Sequence, residues 1–354
     1  MKKKLAIGIS ILFALVVAPG LSFSQFKDKP LYESGMVRAR ASLDPPPQAR
    51  DESFWNVEND IKLYHYSDGA GKNVLVIHGG PSYPIRRPYA GLKPLATNYK
   101  FIYYDQRGCG KSTRPIDRFS SPNYYQNLMT LDRTLGLGAQ LADIERIRRI
   151  LGDEKLILLG HSFGAFLASL YAAEFPEKIK ALILVAPADL LVMPAEDGGL
   201  FSEVQRLLPE NMKQDYGGFL KRYFDYGSIF SKSEADLRAL NAEFGKYYAA
   251  AAATKKLSMP GDEGIEENGG WMVHAMFFSM GMRHDYRPAL KNVKAPVLVI
   301  HGENDVQPEK ASRAYADAFP NSRFVVIKNA GHFSFHEQPE EFAAVAGRFL
   351  KELN

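Results

Sequence analysis

Between Lys155 and Phe175 the chain reads KLILLGHSFGAFLASLYAAEF, a stretch that admits few folds. Leu156-Ile157-Leu158-Leu159 is a continuous apolar run of strand length, the pattern of a parallel strand covered on both faces. Gly160-His161-Ser162-Phe163-Gly164 follows at once and fits G-x-S-x-G, and the Ala- and Leu-rich segment beyond favours helix. A buried strand that passes straight into a helix must turn sharply, and the glycines let the helix pack close to the strand. Ser162 stands at the apex as a candidate nucleophile. G-x-S-x-G alone recurs by chance in many chains; its weight here comes from the coincidence of strand, turn and helix.

The same rhythm recurs on either side. Val74-Leu75-Val76-Ile77 is a buried strand that runs into His78-Gly79-Gly80-Pro81. Adjacent glycines at a strand end allow backbone N–H groups to face a crevice, so the Gly80 N–H is one candidate oxyanion donor and the Phe163 N–H the other. Read alone, Gly79-Gly80-Pro81 is only a tight turn. Phe101 to Tyr104 is a third strand, followed by Asp105-Gln106-Arg107-Gly108-Cys109-Gly110-Lys111-Ser112. Its last three residues imitate a phosphate-binding loop, but that loop needs glycine where the chain has Asp105, so the segment reads as a structural turn with Cys109 packed inside it.

Further strands are expected at Ile61 to Tyr66, ending in a turn at Ser67-Asp68-Gly69, at Ile179 to Val185, at Val297 to Ile300 and at Phe324 to Ile327. Ala139 to Leu151 is an amphipathic helix whose acids and arginines read as a solvated face. Pro308 to Phe319 and Pro339 to Leu350 are expected helices. Phe26 to Asn56, with Pro45-Pro46-Pro47, reads as an irregular lead-in over the surface. The rhythm breaks between Asp189 and Pro288, where helical material at Ser202 to Leu208 and Glu234 to Ala253 and a Met- and aromatic-rich stretch, Trp271 to Met282, read as an inserted lid. The expected architecture is α/β: a mainly parallel sheet with helices on both faces. The expected divisions are a leader at 1–24, a core in two parts at 25–188 and 290–354, and a helical lid at 189–289.

Ser162, Asp305 and His332 occur in the order nucleophile, acid, base, each just beyond a predicted strand. Parallel strands bring such loops to one edge. His332 would take the Ser162 proton, Asp305 would orient the imidazole, and an acyl-enzyme would form and be hydrolysed. Glu303 and Asp189 are rival acids and His336 a rival base. His78, His161 and His301 read as structural residues at strand ends. No histidine pair sits on a convincing helix with a third ligand near, so neither a metal nor a cofactor is expected.

Met1-Lys2-Lys3-Lys4 followed by apolar Leu5 to Val17 and by Ser22 and Ser24 has the form of an export signal cut before Gln25, the alternative being an uncleaved anchor. Periplasmic or secreted placement is the expectation, with no stable membrane insertion once the leader is cut. The 44 basic and 40 acidic residues differ by four, and three of the lysines lie in that leader. The remainder is close to neutral, which gives no case for nucleic acid as a partner. The single cysteine, Cys109, forbids an internal disulfide.

These pieces together resemble the α/β-hydrolase superfamily and, within it, the proline iminopeptidase branch of serine peptidases. The likeness is carried by His78-Gly79-Gly80-Pro81, by Asp105 to Ser112, by Ala142-Asp143-Ile144-Glu145-Arg146, by the elbow, by Gly302-Glu303-Asn304-Asp305 and by Gly331-His332. It implies release of an N-terminal residue, often proline, from short peptides, with lid acids holding the free amine. The chain departs from that pattern at Ser82-Tyr83-Pro84, at His161 and Phe163, and in the lid. There the family's tryptophan-glutamate motif is replaced by Tyr247-Tyr248 and a row of alanines. Glu243, Glu266 and Glu267 are the acids available for an amine. The alternatives are an esterase or amidase on small acyl substrates and, more remotely, a non-catalytic binding protein on the same scaffold.

Overall fold

The computed structural model describes residues 30–40, 42–49, 53–257 and 267–353; the leader read at residues 1–24 and the acid Glu266 lie outside them. The first half runs β1 (Phe54–Glu58), β2 (Ile61–Gly69), β3 (Lys72–Ile77), β4 (Tyr99–Tyr104), α1 (Tyr124–Leu135), α2 (Leu137–Leu151), β5 (Leu156–His161), α3 (Phe163–Glu174) and β6 (Ile179–Val185). A mostly helical segment follows: β7 (Val192–Met193), α4 (Gly199–Leu207), α5 (Glu210–Tyr223), α6 (Glu234–Thr254), α7 (Trp271–Met280), β8 (His284–Asp285) and α8 (Arg287–Leu290). The chain then returns through β9 (Val297–Gly302), α9 (Glu309–Ala318), β10 (Ser322–Ile327), α10 (Ser334–Glu337) and α11 (Pro339–Lys351).

Eight strands form one sheet in the order β1-β2-β4-β3-β5-β6-β9-β10, while β7 and β8 make a separate ribbon. β1 and β2 pair antiparallel with their neighbours, and every pairing from β4 to β10 is parallel. The apolar runs of β3 and β5 alternate in period two between the faces: Leu75, Ile77 and Leu158 pack with Ile144 and Phe166, whereas Val74, Val76 and Leu159 pack with Phe342 and Phe349. All six residues of β5 are buried, as a strand covered on both sides requires.

At the β5–α3 turn the spacing is tight. A β-carbon on Gly160 would lie 2.5 Å from the Ala165 α-carbon, and one on Gly164 would overlap the Ile77 carbonyl oxygen of the neighbouring strand. Gly164→Ala must therefore push α3 off the sheet and should lower stability by about 3 kcal/mol or more, read from urea denaturation. A loss under about 1 kcal/mol would show that the helix can retreat freely.

Three expectations need correction. The lead-in is not a surface path: Tyr32, Val37 and Leu43 are buried, and the strand β1 extends it with Trp55 and Val57 inward. Glu174, a buried acid at the end of α3, explains the docking. It accepts hydrogen bonds of 2.7 Å from the Tyr32 hydroxyl and 2.7 Å from the Gly35 N–H, while Arg38 holds its carbonyl. β2 does not stop at Tyr66 but continues to Gly69, because His65 to Gly69 pair with Tyr104 to Lys100 of β4. Finally, three of the five charges of α2 are not solvated, only Arg148 and Arg149 reaching towards the surface. Asp143, Glu145 and Arg146 are buried. Arg107 clamps Asp143 through bonds of 2.6 and 2.5 Å and reaches Glu58 at 3.0 Å, and Arg146 meets Glu58 at 2.8 Å. Burial works against the Arg107 charge, but Asp143 and Glu58 outweigh it and raise the pKa above the ordinary value.

Candidate active site

Ser162 sits between β5 and α3 with φ 54° and ψ −118°, a conformation that L-residues rarely adopt and that costs about 1–3 kcal/mol. Backbone bonds hold it there: its N–H donates to the Val185 carbonyl at 2.9 Å, and its carbonyl accepts from the Ala188 N–H at 3.1 Å as well as from the first turn of α3. A β-carbon on Gly79 would lie 2.9 Å from the Ser162 β-carbon, so the turn after β3 presses directly against the hydroxymethyl group. Gly80 follows at φ +117°, a value that favours glycine. Phe163 is the first residue of α3, so its N–H is among the first-turn donors with no acceptor inside the helix.

The acid and base meet across two loops. Asp305, in the turn after β9, is buried and accepts from His332 Nδ1 at 2.8 Å through Oδ2 and from the Gln307 N–H at 3.0 Å through Oδ1. With Nδ1 donating, Nε2 is the ring nitrogen left to take a proton. His161 links elbow and base, since its Nε2 donates to the His332 carbonyl at 2.8 Å and the two rings lie 4.7 Å apart. Burial, and then the nearby His332, hold the His161 pKa well below the ordinary range and keep it neutral. His78 is likewise structural: Nδ1 donates to the Gly79 carbonyl at 2.9 Å and Nε2 accepts from the Gln106 N–H at 3.1 Å, while burial lowers its pKa to about 4. His301 Nδ1 bonds the Ser312 hydroxyl at 2.9 Å.

The rivals make other contacts. Glu303 accepts from the Asn329 N–H at 3.1 Å, and His336 lies edge-on to Tyr89 at 5.7 Å. Asp189, whose pKa burial raises, is tied through its own N–H to Gln307 at 3.0 Å. Of the acids weighed for an amine, Glu243 pairs with Arg222 at 2.6 Å, and Glu267 pairs with Arg86, which also grips Asp105 through two 3.0 Å bonds. Glu337 was not anticipated. Its Oε2 accepts from the Gly331 N–H at 2.6 Å, directly before the base, and burial raises its pKa. Tyr248 of α6 stands edge-on to the His332 ring at 5.9 Å, which a run of Tyr and Ala on a helix gave no means to foresee.

Residues 72–339 match the family model described as the alpha/beta hydrolase fold. The chain belongs to that family. This α/β hydrolase is 28% identical to the proline iminopeptidase of Heyndrickxia coagulans over 298 residues, covering 81% of this chain and 93% of that protein. It is 25% identical to the proline iminopeptidase of Saccharolobus solfataricus over 303 residues, covering 82% and 88%. The crystal structure of the Mycobacterium smegmatis proline iminopeptidase superposes with a TM-score of 0.56 at 22% identity, covering 83% of this chain and 96% of that one. An esterase from Thermogutta terrifontis superposes at 0.54 and 22%, covering 83% and 94%, so the fold is shared with enzymes of more than one name. The expected fold class and the resemblance to the iminopeptidase branch both hold.

Proposed function

We propose that this α/β hydrolase works through Ser162, His332 and Asp305 and releases the N-terminal residue of short peptides. The observation that carries the reading is the 2.8 Å bond from His332 Nδ1 to Asp305 Oδ2, made by two loops that leave the same sheet edge as the Ser162 turn. His332 Nε2 removes the Ser162 proton as Oγ attacks the scissile carbonyl. Asp305 fixes the imidazole and stabilises its charged form. The Gly80 and Phe163 N–H groups receive the negative charge on the carbonyl oxygen. The protonated base then hands its proton to the leaving amine, and water activated by the same ring releases the acyl group. Helices α4 to α7 act as the lid, and the peptidase identity of the relatives supports a peptide substrate.

A specific observation favours a second reading, an esterase or amidase on small acyl groups: Glu243 and Glu267 already have arginine partners, so neither offers a ready site for a substrate ammonium. Hydrolysis of a proline arylamide with a free amine, its N-acetyl counterpart and a short-chain aryl ester separates the two. The peptidase reading expects the free amine to be preferred by about tenfold or more in kcat/KM. Indifference to acetylation together with fast ester cleavage would establish the second reading.

A further inference from the structure

The acid loop is attached to the helical segment as well as to the sheet side, where the Glu303 and Asn304 N–H groups donate to the Ile327 and Ala330 carbonyls. Val306, next to Asp305, is buried among Tyr247, Tyr248, Ala251 and Val273 of α6 and α7. Lys255, directly after α6, donates from Nζ to the Asp305 carbonyl oxygen. Two further contacts come from the same stretch: Tyr248 lies against the His332 ring, and the Leu257 side chain is so near Gly331 that a β-carbon there would sit 2.5 Å from it. One helix end therefore touches both the loop that carries the acid and the loop that carries the base.

We infer that Lys255 is a positioning residue, through which α6 sets the orientation of Asp305 and hence of His332. This rests on the triad reading given above. Asp305 is fixed both at its main chain and at its side chain. The Asp305 carbonyl is held by Lys255, and its Oδ1 by the Gln307 N–H at 3.0 Å, which leaves Oδ2 aimed at His332. Releasing the carbonyl removes the one hydrogen bond from Lys255 to this turn while the Asp305 N–H still donates to the Gly302 carbonyl at 3.0 Å, and an imidazole partner displaced by a fraction of an ångström loses the alignment that proton transfer needs. A lid that closes through this contact completes the site as it covers it.

The test compares Lys255→Met with Lys255→Arg, using the substrate that the wild-type protein cleaves fastest. Lys255→Met should lower kcat by about tenfold or more while KM changes by no more than about twofold, and Lys255→Arg should restore most of the loss. The pH at which kcat/KM falls off on the acid side supplies a sign. Among the described residues, the titratable groups around His332 are Asp305, His161, His301, Glu337, Tyr248 and Lys255. A loosened carboxylate stabilises the protonated base less, which moves the fall-off to lower pH; loss of a nearby cation alone would move it to higher pH. A downward move with lower kcat supports positioning. An upward move, an unchanged kcat or a loss confined to KM overturns it. Val306→Ala, which weakens the second attachment without altering charge, should move both quantities in the same direction as Lys255→Met, and the opposite result would also overturn the inference. Ser162→Ala in the same assay keeps the two readings apart, since turnover that survives it refutes the triad whatever Lys255 does.

Discussion

Ser162→Ala is expected to lower kcat on every cleaved substrate by roughly 10⁴ to 10⁶, with the fold intact. The size follows from the chemistry: without Oγ no acyl-enzyme can form, and only the oxyanion donors and substrate binding remain to favour direct attack by water. The fold should survive because Ser162 is held by backbone bonds to Val185 and Ala188, which alanine retains. Circular dichroism and a thermal melt check this. Asp305→Asn should cost several orders of magnitude as well, by removing the charge that stabilises the imidazolium, whereas Glu303→Gln and Asp189→Asn should not. Turnover within tenfold of wild type in Ser162→Ala would end the serine-hydrolase reading.

Asp143→Ala is expected to lower stability by about 3–5 kcal/mol, the largest effect of any single substitution away from the elbow. Arg107 is 1% exposed and would be left with Glu58 and the Thr134 carbonyl at 3.0 Å. Most of the cost is a buried cation left with one carboxylate instead of two, so the paired change Arg107→Met with Asp143→Leu should recover much of it. Urea denaturation of the three proteins measures both effects, and a single variant that loses less than about 1 kcal/mol would show the guanidinium to be well solvated. The same cluster predicts acid sensitivity. Burial disfavours the Glu58 carboxylate, but Arg107 and Arg146 prevail and hold its pKa below the ordinary 4.5. That contribution is fully present above pH 4.5 and is lost as the pH falls through the lower folded value.

The sheet and the elbow were legible because their signals are local. A continuous apolar run, a glycine-flanked serine and an Ala-rich helix each carry their meaning within a few residues, and the chain order of Ser162, Asp305 and His332 follows once the strands are placed. What was not legible depended on partners far away in sequence. Periodicity assigns Asp143, Glu145 and Arg146 to the wet side of α2; Arg107, arriving from the loop after β4, Glu58 from β1 and Tyr171 from α3 turn that side inward. α1 and α5 do carry apolar stripes of helical spacing, Leu128, Leu131 and Leu135 in the one and Tyr216, Phe219 and Tyr223 in the other, whereas β1 is short and follows a proline-rich stretch. Lys255, Tyr248 and Val306 look unremarkable in sequence, and their importance comes from the meeting of α6 with the β9 and β10 loops.

The strap formed by Tyr32, Gly35 and Arg38 bears on the order in which the molecule assembles. Tyr32 and its partner Glu174 are 142 residues apart. Closing so long a loop costs little more than closing one half its length, but the contact can form only after α3 exists to receive it. During synthesis this strap therefore emerges well before its receptor and waits for it. Until the two meet, the Glu174 carboxylate lacks the Tyr32 and Gly35 donors.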